Sequence, residues 1–496
     1  MHMHWLALAP VVAVIGCVPN LQPEGLTVAN EEELICAPGH LEECPCPGGG
    51  MGWQECALDG SGYTSCFCVD ASDPEPVEPY CGDGLIQSGE ICDGGNGNDA
   101  DGCDGECVAP PGTLVWVSGY DGGGALDDCA LDIATDSQGY IYAAGFDGHG
   151  GVSRAWVRKF TPSGAPVWTH FYIDEQHGAH EARAIAITNK GAVVVGGLDG
   201  GNNDENDNND KDTDAWVQRL DPEDGAEVWT QRFIGAGGYA DAIRGITAVH
   251  DDSVVVCGEH AKASDQSDAW GARLDHDGEV MWSKPLAGES GDDRATDCAL
   301  TASGELFVTG VFTEQGQGPR LWVKRVDVES GDELWRHDDF EVEPLSIYRG
   351  DVGITSDAAG RVYIAAEIAQ PAGDDGHIWT ARLDTDAGAL GPIVWERTFE
   401  FGAEGVRGMA VRTDAAGDLY LATARASGSS VLDDDDILLL KLSPSGKLLW
   451  SESYDGASRG DDRGYGLAID EGGVYVAGVR TVEGNGLDMW IGKFAP

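Results

Sequence analysis

DAWVQRLDPEDGAEVW (residues 214–229) holds two tryptophans, Trp216 and Trp229, on either side of a turn rich in Asp, Pro and Gly. The pattern recurs as AWVRKFTPSGAPVW (155–168), DAWGARLDHDGEVMW (268–282), LWVKRVDVESGDELW (321–335) and ILLLKLSPSGKLLW (437–450). The Trp after the turn appears seven times, at Trp116, Trp168, Trp229, Trp282, Trp335, Trp395 and Trp450. The Trp before the turn appears at Trp156, Trp216, Trp270, Trp322, Trp379 and Trp490, with Leu438 as the exception. A sequence that resembles itself at a near-constant interval encodes repeated supersecondary units that share a core by stacking.

One unit reads as four short strands. Ala130 to Ala134 is the first, closed by the turn Asp136-Ser137-Gln138-Gly139; YIYAAG (140–145) is the second. AWVRKF (155–160) and Val167 to Phe171 follow, separated by Pro162-Ser163-Gly164. VYIAA (362–366), LYLAT (419–423) and VYVAG (474–478) repeat the second strand. β-rich runs bounded by turn residues, with no sustained helical period, predict an all-β fold. Four strands per unit and seven units predict a seven-bladed β-propeller over residues 113–496. The chain enters with a lone fourth strand, 114–119, and leaves with a third strand, 488–494. Pairing the two completes the seventh blade and removes two sheet edges. A Trp at one site per blade wedges between sheets and buries a large apolar area; stacking on a ligand is the alternative reading of these residues.

These runs resemble the Trp-containing seven-bladed propeller repeats of bacterial secreted and surface proteins. The resemblance implies the fold, and no single activity. The N-terminal third carries export signals. Residues 1–17 (MHMHWLALAPVVAVIGC) have an apolar stretch too short to span a bilayer, which reads as a signal peptide. Val14-Ile15-Gly16-Cys17 resembles the bacterial lipobox, which implies lipidation of Cys17; an ordinary cleaved signal is the alternative. Residues 18–35, with Pro19, Pro23 and Glu31 to Glu33, read as a flexible tether.

Cysteines then cluster. Cys36, Cys44, Cys46, Cys56, Cys66 and Cys68 mark a module over 36–69, and Cys81, Cys92, Cys103 and Cys107 mark a second over 81–108. The acidic, Pro-rich linker 70–80 joins them. Two even sets in an exported chain imply disulfide frameworks of open connectivity. CGDGLIQSGEICDGGNGNDADGCDGEC (81–107) resembles the myxobacterial-type cysteine-rich repeat in all four Cys, departing from it at Gly94. That resemblance implies an exported protein of a Gram-negative cell. Three more cysteines fall in the propeller. Cys129 and Cys298 share a DCAL context and read as equivalent positions. Cys257 and Cys298, from consecutive blades, read as the best pair of the three. None has a His placed beside it as a base.

Thirty Lys and Arg against 86 Asp and Glu give a formal charge of −56, which excludes nucleic acid and basic-patch binding to anionic lipid. Carboxylate-rich loops are candidates for Ca²⁺, a hard cation that takes oxygen ligands. They include Asp99 and Asp101 in the second Cys-rich module and Asp204, Asp207 and Asp210 in the acidic loop 199–214. None completes an EF-hand loop, and a solvated acidic loop is the alternative.

Against this background an Arg opens the first strand in six units: Arg183, Arg244, Arg294, Arg349, Arg407 and Arg463. The remaining unit has Asp127-Asp128 there instead. In a propeller the first strand lines the channel, so the pattern predicts guanidinium groups round one mouth. They suit an anionic ligand, or they pair with the adjacent Glu181, Asp241, Asp292, Asp293, Asp461 and Asp462 as structural ties. Three functional readings stand. The first is a lipid-anchored, non-catalytic scaffold on the outer membrane, facing the periplasm or the outside, monomeric and binding a protein or glycan on its loop face. The second is a propeller enzyme, quinoprotein-like or a lyase or hydrolase, with a site at the channel mouth. The third is an outer-membrane assembly lipoprotein. No H-E-x-x-H or G-x-S-x-G motif appears.

Overall fold

The computed structural model describes residues 41–45, 51–55, 110–120, 127–149, 152–172, 179–200, 213–235, 241–261, 267–287, 293–313, 319–338, 340, 352–370, 373–385, 393–400, 406–426, 435–456, 460–482 and 486–496. Leu41–Pro45 pairs antiparallel with Met51–Glu55 inside the first Cys-rich module. From Leu114 onward there are seven four-stranded antiparallel sheets, and the first strand of each packs against the first strand of the next. The last of these, Arg463–Asp470, packs against the first, Cys129–Thr135, which closes the ring. The fold is a seven-bladed β-propeller, and blades are numbered here from Cys129.

Closure follows the pairing expected of the two end strands. Leu114–Tyr120 pairs with Gly486–Phe494, Leu114 opposite Phe494 and Tyr120 opposite Met489. Gly112 N–H donates to the Ala495 carbonyl (2.9 Å) and Ala495 N–H to the Thr113 carbonyl (2.8 Å), extending the ladder beyond the Leu114–Phe494 pair.

The core lies between blades rather than within them. Among the described residues eight apolar clusters each take residues from two neighbouring blades; one joins Val255 and Trp282 of blade 3 to Val308 and Trp322 of blade 4. The pre-turn tryptophans are buried at these interfaces, and Leu438 fills the same place in blade 6. The post-turn tryptophans form a second tie. The indole N–H of Trp168 donates to Pro222, Trp229 to His276, Trp282 to Val328 and Trp395 to Pro444, each a carbonyl in the next blade's turn, at 2.9–3.1 Å. The turn glycine lies against the same ring. A Cβ on Gly331 would come within 2.8 Å of Trp282, and Gly331 has φ +74°, a conformation that glycine adopts without penalty. Blade 7 has no covalent turn at this point. Gly112 (φ +81°), at the chain's entrance, lies against Trp450 in its stead.

On the same face, an Asp closes the turn between the first two strands in four blades. Asp136 Oδ1 accepts from the amides of Gln138 and Tyr140 while its Oδ2 accepts from the Tyr142 hydroxyl. Asp357–Tyr363, Asp414–Tyr420 and Asp470–Tyr475 repeat the tyrosine contact.

Candidate functional site: the channel and its mouth

The mouth arginines do not occupy one ring. First strands carry a register irregularity near their start, between Ala182 and Ala184, Ile243 and Gly245, Ala295 and Asp297, and Gly464 and Gly466. Aligned through it, Arg183 and Arg244 are the unpaired bulge residues. Arg294 and Arg463 lie two positions earlier, inside the ladder. The backbone of Arg407 pairs with Ala424; its side chain and all of Arg349 lie outside the described residues.

Every guanidinium described at the mouth is engaged by carboxylate. Arg183 donates to Glu181 through Nε (2.8 Å) and Nη2 (2.7 Å). Arg244 donates to Glu259 Oε1 (2.7 and 3.0 Å), and Arg294 to Glu259 Oε2 (2.9 Å). Glu259 thus ties blade 3 to blade 4. Burial alone would raise its carboxyl, but Arg244, Arg294 and Arg183 outweigh burial and hold it down at about 2. Burial and the neighbouring Arg244 lower Arg294 in turn. Arg463 donates to Asp435 of blade 6 (2.8 Å) and to Asp461 (2.5 Å).

The partners differ from those expected. Glu181 and Asp461 pair as read from the sequence, whereas Glu259 and Asp435 come from other strands. Asp241 accepts from the amides of Gly235 and Ala261 (both 2.5 Å), with the His260 ring 3.3 Å away. Asp462 accepts from the amides of Gly456 and Thr481. Burial raises Asp462 to about 6 against those bonds.

Deeper in the channel the repeat breaks. At the level of Asp132 in the register with the second strand, blades 1 to 7 carry Asp132, Ala184, Gly245, Asp297, Gly353, Ala410 and Gly466. Two levels on they carry Ala134, Ala186, Thr247, Ala299, Thr355, Arg412 and Ala468. The three exceptional residues meet: Arg412 Nη2 lies 4.0 Å from Asp132 and Nη1 3.8 Å from Asp297. The glycine in the blade before each aspartate makes room for it. A Cβ on Gly466 would fall 2.7 Å from Asp132 Cα, and one on Gly245 3.0 Å from Asp297 Cα. Each aspartate is satisfied by backbone. Asp132 accepts from Ile133 and, across the blade boundary, from Ile185 (both 2.9 Å). Asp297 accepts from Cys298 (2.8 Å) and from Ile354 of blade 5 (3.0 Å). Burial raises both carboxyls against Arg412, Asp297 to about 6. A cavity of about 300 Å³ adjoins Arg412 on the side of the turn face, lined by first strands that include Thr247, Thr355 and Ser356.

Register also corrects the cysteines. The DCAL identity equates Cys129 with Cys298, but Cys129 pairs with Phe146 and Cys298 with Val308, the counterpart of Ala143 opposite Ile133. Cys129 therefore matches Arg294, and Cys298 matches Ile133. The expected Cys257–Cys298 bond is absent; both are buried free thiols, and burial, with Cys298 adjacent, raises Cys257. Cys129 is disulfide-bonded, so its partner lies outside the propeller's other two cysteines.

Cys17, the ten N-terminal disulfide candidates and the calcium candidates Asp99, Asp101, Asp204, Asp207 and Asp210 have side chains outside the described residues. Among the described residues no group of three or more His, Cys, Asp or Glu is placed to hold a metal. One repeated set was missed from sequence: third-strand cations that reach the same turn carbonyls as the tryptophans. Lys159 donates to Pro222 (2.8 Å), Arg219 to His276 (2.8 Å) and Arg273 to Val328 (3.0 Å). Their constant place, two residues before the turn, was the available signal.

Residues 213–373 match the family model described as outer membrane protein assembly factor BamB. The match runs from the third strand of blade 2 to the third strand of blade 5 and agrees with the propeller fold. No curated protein matches the chain. Among solved structures it is similar to a protein of unknown function from Dyadobacter fermentans, at 12% identity and TM-score 0.46, over 78% of this chain and 100% of that one. It is also similar to a quinohemoprotein alcohol dehydrogenase from Pseudomonas putida, at 12% identity and TM-score 0.40, over 72% and 65% of the two chains. A third is the quinohemoprotein alcohol dehydrogenase from Comamonas testosteroni, at 11% identity and TM-score 0.41, over 77% and 76%.

Proposed function

We propose that the chain is an exported scaffold, anchored to the outer membrane through a lipid on Cys17. Its propeller holds a partner protein rather than turning over a substrate. One observation carries the reading. The residue before the post-turn Trp is aliphatic or Met in five successive blades and is left in solvent: Val228, Met281, Leu334, Val394 and Leu449 are 44–55% exposed. Each lies on the outermost strand of its sheet, which is bonded on one side only. An open strand edge beside a recurring apolar side chain suits a partner that adds an extended segment, main chain to main chain, with alternate side chains on the rim. The charge of −56 favours a basic segment. Protein partnership and an outer-membrane or periplasmic setting accord with the assembly-factor description of the family model matching residues 213–373.

The tether 18–35 and the two Cys-rich modules serve as spacers, and Asp99 and Asp101 would take Ca²⁺ inside the second. The test is site-specific photo-crosslinking in the producing cell, from Met281 on the rim and from Asp277 on the turn face. A discrete adduct from Met281 alone, lost in Leu334→Lys, is expected. Equal labelling from both positions, or none from Met281, would overturn the reading. Mass spectrometry of the mature N-terminus tests the anchor: an acylated Cys17 is expected, and an unmodified N-terminus excludes it.

A further inference from the structure

Seven equivalent strands need no charged residue in the channel, so three that break the repeat and meet there call for a cause beyond folding. Arg412 projects into a space that exists because six other blades carry Ala or Thr at its level. Its aspartate neighbours have each oxygen occupied by a backbone amide at 2.8–3.0 Å. They hold the guanidinium by charge at 3.8 and 4.0 Å, too far for hydrogen bonds. Arg412 itself donates to the Val411 carbonyl (2.8 Å). A guanidinium has five N–H donors in a planar fork, so most of this fork is unspent, and the side chain is 36% exposed.

Among the described residues Arg412 is the one charged residue that lines the adjoining cavity; Thr247, Thr355 and aliphatic residues such as Ile246, Ile354 and Leu467 complete the wall. At about 300 Å³ it is at the small end of ligand pockets. We propose that this cavity binds a small organic monocarboxylate. Its carboxylate takes the free edge of the Arg412 fork, and its short carbon body lies against the aliphatic wall within reach of the threonine hydroxyls. A forked guanidinium–carboxylate contact is charge-assisted and directional. Asp132 and Asp297 act as positioning residues that aim the fork from the mouth side, where they leave the cavity side open.

The experiment is saturation-transfer NMR and calorimetry on the purified chain with sodium acetate, lactate and butyrate, and with methylammonium chloride as the cationic control. At least one carboxylate should bind, methylammonium should neither bind nor compete, and Arg412→Met should weaken binding at least ten-fold. Arg397→Gln, an exposed arginine on the rim, should leave it unchanged. Should Arg412→Met fail to fold, Ala468→Leu keeps the charge and fills the cavity, and it should abolish binding. Absence of binding by all three carboxylates, competition by methylammonium, or affinity unchanged in Arg412→Met or Ala468→Leu would each overturn the proposal.

Discussion

The turn face of the disc and its channel are built from the same seven sheets and treat repetition in opposite ways. On the turn face a Trp, a turn carbonyl and a left-handed Gly recur from blade to blade: Trp168 with Gly225, Trp229 with Gly278, Trp282 with Gly331 and Trp395 with Gly446. In the channel three positions depart from their columns, and the departures compensate one another across blades 1, 4 and 6. The difference separates what holds a propeller together from what distinguishes this one. Stability resides in the repeated contacts, and individuality in the broken ones.

The largest expected effect comes from breaking the repeated contact. Trp282→Ala removes a buried ring and its bond to Val328 and should cost about 3–5 kcal/mol, read by denaturant unfolding. Gly331→Ala and Gly304→Ala sharpen the point. Both positions have positive φ, but a Cβ at Gly304 meets nothing within 4 Å while one at Gly331 meets the Trp282 ring. Gly304→Ala should cost about 1 kcal/mol from the backbone alone, and Gly331→Ala clearly more. Equal costs would mean that the ring contact contributes nothing.

The mouth should behave like the turn face, as structure. Glu259→Gln leaves Arg244 and Arg294 buried without their counter-charge and should cost about 3 kcal/mol at neutral pH. A carboxyl held down at about 2 in the folded state contributes stability that is complete above its unfolded value near 4.5 and is lost as pH falls toward 2. The gap between wild type and variant should therefore narrow by roughly 1.4 kcal/mol per pH unit below that value. A gap that stays constant with pH would place the loss in packing rather than in charge.

The channel should show the opposite sign. Asp297 is raised to about 6. Its contribution is present below the unfolded value near 3.8 and is lost as pH rises through about 6. Wild type should thus gain up to about 3 kcal/mol on Asp297→Asn between pH 7 and pH 4, measured as paired unfolding curves. A folded carboxylate that is costly at neutral pH is what a positioning residue looks like, in contrast to the Glu259 tie.

Most of the fold was legible because its determinants are local and repeated. The post-turn tryptophans, the turn glycines and the two unmatched end strands sufficed to count blades and to pair 114–119 with 488–494. The mouth arginines were legible as a set but not as positions. A bulge shifts the count, so Arg183 and Arg294 look equivalent in sequence and differ in the ladder. Asp132, Asp297 and Arg412 were invisible for the same reason. Their significance lies in columns that exist only once the bulges are aligned, and in contact across blades more than a hundred residues apart. The DCAL identity shows the hazard, since four matching residues outweighed the register and put Cys129 in the wrong column.

That column error leads to the prediction with the smallest energetic effect and the sharpest chemical readout. Cys257 and Cys298 face one another across the blade 3–blade 4 interface as thiols, with Cys298 Sγ 3.8 Å from the Val255 carbonyl. Both are buried, which limits reagent access, and burial together with the adjacent Cys298 raises the Cys257 thiol, which slows its alkylation and oxidation. Alkylation without reductant should leave both unmodified in the native chain. Unfolding should then label both, while the peptide bearing Cys129 stays unlabelled until a reductant is added. Replacing either thiol by Ala should change stability by less than the loss of a Trp contact, since each acts as a small apolar residue. A Cys257–Cys298 bond in the peptide map would overturn the assignment of both as free thiols. A Cys129 labelled before reduction would remove the covalent tie at the position where blade 4 has Arg294.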